Sequence, residues 1–112
     1  MRKLKVDLLQ IVCGKTLEPM ATVRLNVNGE IKQKTCAGLG PIDAAFKAVN
    51  RILGEQYELV EYLVQAISEG IEDYGKVHVQ VSFQGQTYYG FGADRDITTA
   101  SVEAYIDAIS KI

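Results

Sequence analysis

The chain repeats itself. Moved 56 positions along itself, the 112-residue sequence places Gly14 on Gly70, Gly29 on Gly85, Ala37 on Ala93, Ala44 on Ala100 and Ala48 on Ala104. The apolar pattern follows, with Leu4 on Val60, Val6 on Tyr62, Leu8 on Val64 and Ile11 on Ile67. Further on, Val23 meets Val79, Leu25 meets Val81, Val27 meets Phe83 and Phe46 meets Val102. No gap is needed, and the period is half the length. A repeat of this size is one supersecondary unit that pairs with its neighbour to close a core. The length is that of one domain, so the expectation is a single domain of two pseudo-repeats, 1–56 and 57–112.

Either copy gives the structure of the unit. Residues 22–27 alternate apolar and polar, the period of a half-buried strand. Asn28-Gly29 then supplies the φ > 0 residues of a type I′ hairpin turn, and 30–35 form the return strand. In the second copy Val77, Val79, Val81 and Phe83 alternate, Gln84-Gly85 turns, and Thr87 and Tyr89 return. A helix follows each hairpin. Pro41 suits the first turn of a helix over Pro41–Leu53, and Ile42, Ala45, Phe46, Val49, Ile52 and Leu53 form one apolar stripe. Gly54 sits where a left-handed cap belongs. The second helix runs from about Thr98, with Val102, Tyr105, Ile106 and Ile109 as its stripe. Each copy opens on a further segment, 4–14 and 59–70, read as a strand because 4–8 alternates. The fold class is therefore α+β, two βββα units with antiparallel sheets and one helix each. The sheet face away from the helix is expected to be partly wet and to carry Lys5, Arg24, Lys32 and Lys34. The seam between the copies is a natural ligand site.

Composition removes several functions. Apolar residues make up 47%, charged residues 23%, and the formal net charge is -2. No basic patch stands out, so a nucleic-acid partner is not expected. No run approaches the 18 or more apolar residues of a membrane span, and Asp7 and Gln10 interrupt any signal-peptide core. Cys13 and Cys36 read as free, buried thiols of a reducing cytosol. With His78 they make too few ligands for zinc, and no cofactor is expected. Catalysis finds little support. His78 faces away from Val77 and Val79, with no nucleophile assigned to it, and Cys36 lacks a basic cluster to activate it. Glu69, Glu72 and Asp73 read as a solvated loop.

Two glycine-containing loops carry more weight, 38–43 and 90–96. Gly-x-Gly ahead of a helix lets backbone N–H groups meet a carboxylate or phosphate. A dinucleotide fingerprint would need a third glycine, and position 43 is Asp. On spacing alone, glycines that merely relieve a tight strand-to-helix turn explain these loops equally well. Their apparent duplication favours a paired small-ligand site.

The runs Gly38-Leu39-Gly40-Pro41-Ile42-Asp43-Ala44-Ala45-Phe46-Lys47-Ala48, Ala21-Thr22-Val23-Arg24-Leu25, Leu59-Val60-Glu61-Tyr62 and Gly90-Phe91-Gly92-Ala93-Asp94-Arg95-Asp96-Ile97-Thr98-Thr99-Ala100-Ser101 together resemble the C-terminal regulatory domain of the 2-isopropylmalate synthase and citramalate synthase family. The resemblance covers essentially the whole chain. It implies a domain that follows a catalytic TIM barrel, pairs across a two-fold axis as a homodimer, and binds leucine or isoleucine as a feedback effector. By the same resemblance Gly38, Gly40, Pro41, Ile42 and Asp43 meet the effector carboxylate. Leu59, Tyr62 and Ala66 wall its side chain, and Ala93, Asp94 and Arg95 complete the site. Glu61 stands where the family usually has Asp. The barrel's catalytic motifs are absent, so these residues are not expected to perform the condensation, and leucine is the expected effector.

Overall fold

The computed structural model describes residues 2–15, 17–69 and 72–112, and their side chains except those of 17, 66–69 and 72–73. The chain divides into two compact units, Arg2–Gln56 and Tyr57–Ile112. The first holds β1 (Leu4–Gly14), β2 (Leu17–Val27), β3 (Glu30–Ala37) and α1 (Pro41–Leu53). The second holds β4 (Glu58–Glu69), β5 (Glu72–Phe83), β6 (Gln86–Asp94) and α2 (Ile97–Ser110). Each unit is an antiparallel three-stranded sheet in chain order followed by one helix. The βββα architecture is thus present twice.

The local chemistry explains the elements. Asn28 and Gly29 have φ of 52° and 93°, Gln84 and Gly85 of 52° and 81°. Both hairpins therefore turn through the left-handed region, which matches the strand twist. Gly54 caps α1 at φ 70°, its N–H donating to the Asn50 carbonyl. Asp96 caps α2, accepting from the Thr99 N–H. One face of each sheet is buried beneath its helix. Ala21, Val23 and Leu25 meet the stripe of Ala45, Phe46, Val49 and Ile52 in the first unit. In the second, Val77, Val79 and Val81 lie under Val102, Tyr105, Ile106 and Ile109. Tyr57 closes the second core, with ring centroids 5.2 Å from Phe83 and 6.3 Å from Tyr105.

Four expectations need correction. First, the strands run longer than the alternation showed. β2 begins at Leu17, and Glu69 and Glu72–Asp73 belong to β4 and β5 rather than to a loop. Secondly, the shift of 56 does not hold for the opening strands. Val6 pairs with Leu25 and Leu59 pairs with Val81. Val81 is 56 positions beyond Leu25, yet Leu59 is only 53 beyond Val6. At the shift of 53 the two β-bulges coincide, since the ladder skips Asp7 in β1 and Val60 in β4. The second copy is therefore three residues longer over its first hairpin, counted from the bulge to the β5 positions that match β2. Thirdly, Lys32 and Lys34 pair with Leu25 and Val23, so they share the helix side of the sheet. Arg24, on the other side, donates to the Gln33 side chain at 2.8 Å. Fourthly, the two Gly-x-Gly motifs are not equivalent. At the shift of 56, Gly38 and Gly40 match Asp94 and Asp96, and Gly90 and Gly92 lie inside β6.

Gly90 and Gly92 have a packing role instead. A Cβ at Gly90 would stand 2.0 Å from the Ala104 carbonyl oxygen, and one at Gly92 would stand 2.2 Å from that of Ala100. Backbone meets backbone there, so α2 lies chiefly on β6, while α1 is shared among β2, β3 and β1.

Candidate functional site

The residues assigned by resemblance divide between the units, Gly38–Asp43 in the first and the rest in the second. In the first unit the loop is fixed at two points. The Gly38 N–H donates to the Pro19 carbonyl at 3.0 Å, and the Leu39 N–H donates to Asp43 Oδ2 at 2.9 Å. Gly38 is buried, and a Cβ on it would meet the Ala44 amide at 2.4 Å. Gly40, the N-cap, has φ -157°, which any residue adopts, and its missing Cβ would face open space. Leu39 projects at the tip, 94% exposed.

Asp43 acts as the clip of this loop. Its carboxylate also pairs with Lys47 at 3.0 Å. The Leu39 N–H foremost, and Lys47 after it, hold the Asp43 carboxyl below the usual carboxylate range. The N–H groups of Gly38 and Leu39 are therefore engaged. Those of Ile42 and Asp43 belong to the first turn of α1, which an α-helix leaves without intrahelical acceptors. With Pro41 lacking a donor, they direct the positive end of the helix dipole outward. An anion placed at Gly40 would meet this end.

In the second unit the bulge at Val60 sets the face of β4. Leu59 and Tyr62 lie opposite Val81 and Val79, on the helix side of the sheet. Since α2 sits over β5 and β6, that side of β4 is left open, and Leu59, Tyr62 and Val64 are 42%, 36% and 39% exposed. The Tyr62 hydroxyl meets Ser101 Oγ at 2.7 Å, and Ser101 in turn donates to the Ile97 carbonyl at 2.7 Å. Tyr62 is thus the donor to Ser101, a buried polar residue overlooked in the sequence. Its signal was a serine inside an otherwise apolar helical stripe. The backbone of Ala66 pairs with Gly75; its side chain lies outside the described ones.

The 93–95 segment closes β6. Ala93 lies opposite Lys76, facing away from α2, while Asp94 lies opposite Gly75 on the helix side. Asp94 accepts from the Asp96 N–H at 2.9 Å, ordering the entry to α2. The Arg95 guanidinium stands 5.9 Å from the Tyr74 ring centroid. The Thr99 hydroxyl, with backbone N–H groups behind it, holds Asp96 below its ordinary carboxylate range. Desolvation, reinforced by Asp94, raises Glu103.

Elsewhere, His78 shares a hydrogen bond with the Tyr89 hydroxyl and stacks near Phe91 on the face away from α2. Both cysteines are free thiols, but only Cys36 is buried as expected; Cys13, near the end of β1, is exposed. Among the described residues, no helix is long and apolar enough to cross a membrane.

The chain is 44% identical over 110 residues to a 2-isopropylmalate synthase of Parabacteroides distasonis, a match covering 97% of the chain and 22% of the relative. It is 42% identical over 110 residues to the 2-isopropylmalate synthase of Syntrophus aciditrophicus, covering 98% of the chain and 21% of that protein. The enzyme of Trichodesmium erythraeum is 38% identical over 109 residues, covering 96% and 20%. The chain spans about a fifth of the length of these relatives. Residues 2–112 match the LeuA allosteric (dimerisation) domain, and the chain belongs to that family.

Proposed function

We propose that the chain is the end-product-sensing domain of a 2-isopropylmalate synthase, binding leucine and pairing with a second copy. The observation that carries this reading is the match of residues 2–112 to an allosteric (dimerisation) domain, with relatives named 2-isopropylmalate synthase. The geometry supplies fitting chemistry. The effector carboxylate meets the first turn of α1 at Gly40, Pro41 and Ile42, with Gly38 and Asp43 holding the loop in shape. The parts of Leu59, Tyr62 and Ala66 as side-chain wall, and of Ala93, Asp94 and Arg95 near the ammonium, rest on the family resemblance alone. The catalytic barrel would precede this domain in a longer cytoplasmic chain, and no cofactor takes part in sensing. Leucine favours one arrangement of the paired domains over another, and a coupling of about 1–3 kcal/mol is typical of such regulation.

Calorimetric titration with leucine and with isoleucine tests the reading. Saturable heat with leucine is expected. Saturation by isoleucine alone would move the chain to the citramalate branch. Silence towards both at millimolar concentration would leave a pairing module without an effector.

A further inference from the structure

The duplicated units differ at one place in a way that points to a second ligand. In the second unit the free edge of β6 is closed by its own helix. The Phe91 N–H donates to Asp107 Oδ2 at 3.0 Å, and Lys111 pairs with the same carboxylate at 3.6 Å. Gly90 and Gly92 let α2 come close enough for this. At the shift of 56 the first unit has Thr35 for Phe91, Lys34 for Gly90, Cys36 for Gly92 and, for Asp107, Arg51. The charge at the closing position is reversed, and Lys47 likewise replaces Glu103.

The structure follows the sequence. Where the second unit has Gly90 and Gly92, the first has Lys34 and Cys36; α1 lies less closely on β3 than α2 does on β6, and a cleft of about 480 Å³ opens there, lined by Thr35, Cys36, Lys47, Asn50, Arg51 and Gln56 among others. The strand register is the same in both units, Thr22 opposite Thr35 as His78 is opposite Phe91. The Thr35 N–H therefore points to the same free edge as the Phe91 N–H. Edge strands present such unpaired donors. Where the second unit supplies its own carboxylate, the first presents an amide, the Arg51 guanidinium and the Lys47 ammonium, with Lys34 on the same sheet face.

We propose that the α1–β3 cleft binds a small oxyanion, of the phosphate-ester class, in the place that Asp107 fills in the duplicate unit. Two cations, Lys47 and Arg51, line the cleft, the first of them shared with Asp43, and among the described residues no carboxylate lines it. The planar guanidinium favours a phosphate or carboxylate fork. The site is independent of the effector reading, since Arg51 and Thr35 take no part in it.

The test is an amide NMR titration of the chain with inorganic phosphate, then pyrophosphate, at physiological ionic strength. The Thr35 amide and the Arg51 Nε–H should shift together and saturate at concentrations on the order of millimolar, while the Phe91 amide stays still. Arg51→Gln should weaken binding about tenfold or more, by the loss of a charge-assisted pair, and leave any leucine titration unchanged. Arg51→Asp should abolish the response, by reversing the charge that the cleft presents to an anion. Non-saturating shifts, or shifts that Arg51→Gln does not alter, would overturn the site. Dispersed spectra of both variants guard against misfolding.

Discussion

Gly38 and Gly40 are two residues apart in one motif, yet their surroundings are opposite. Gly38 is locked against Ala44, so Gly38→Ala would force the loop off the helix. Overpacking of this kind costs about 1–3 kcal/mol. Gly40 has extended backbone and open space at its Cβ position. Gly40→Asp should therefore keep the melting temperature within a few degrees while abolishing leucine heat, because it places a carboxylate at the end of α1 where the effector's must sit. Retained binding in that variant would remove the loop from the site. The motif was legible in the sequence; the division of labour within it was not, because spacing does not show which N–H groups are already engaged. The same holds for acid sensitivity. Asp43 and Asp96 titrate below their ordinary 3.8 in the fold. Their contribution is complete above the unfolded value and is lost as pH falls through the lower folded one. Glu103, raised above its ordinary 4.5, acts the other way and is relieved on acidification. Urea midpoints between pH 5 and about 3 should fall more steeply for the natural chain than for Asp43→Asn with Asp96→Asn.

At the level of elements, hairpins and helices were legible because their signals are local. Asn28-Gly29 and Gln84-Gly85 both turn at positive φ. Gln84, however, lacks the short polar side chain that eases the left-handed region, where an ordinary residue bears about 1–2 kcal/mol. Gln84→Asn should accordingly raise stability by roughly 0.5 kcal/mol or more, seen as a higher melting temperature. The opening strands were misaligned for a physical reason. A bulge inserts one residue and exchanges the faces beyond it, so period-two alternation breaks at Asp7 and Val60 and a gap-free repeat hides the three-residue offset. Glycines were misread for a similar reason. A Gly-x-Gly in a strand beneath a helix looks, in sequence, like a Gly-x-Gly ahead of one. Gly92→Ala distinguishes them. With its Cβ 2.2 Å from the Ala100 carbonyl, it should destabilise the second unit by several kcal/mol, as an early loss of β6 and α2 amide protection.

For the whole molecule, the open side of β4 sets the expectation. On that side the strand exposes Leu59, Tyr62 and Val64, and contiguous exposed apolar surface marks an interaction site. Since the family is a dimerisation domain, the occupant expected there is a second copy. Sedimentation of the 12.3 kDa chain should then give about twice that mass. Val64 is the discriminating residue. It is 39% exposed on the helix side of β4 and lies outside the residues assigned to the effector, so Val64→Lys leaves the proposed pocket wall of Leu59 and Tyr62 in place. Lysine on a strand already this exposed costs the fold little, because its long stem can lie on the sheet while its charge stays in water. In a two-fold interface every such change enters twice, and two ammonium groups buried across the axis would oppose association strongly. The variant should sediment as a folded monomer with an unchanged far-ultraviolet spectrum. A dimer that persists with Val64→Lys would place the pairing surface away from β4, and a monomeric natural chain would show that pairing needs the rest of a longer protein.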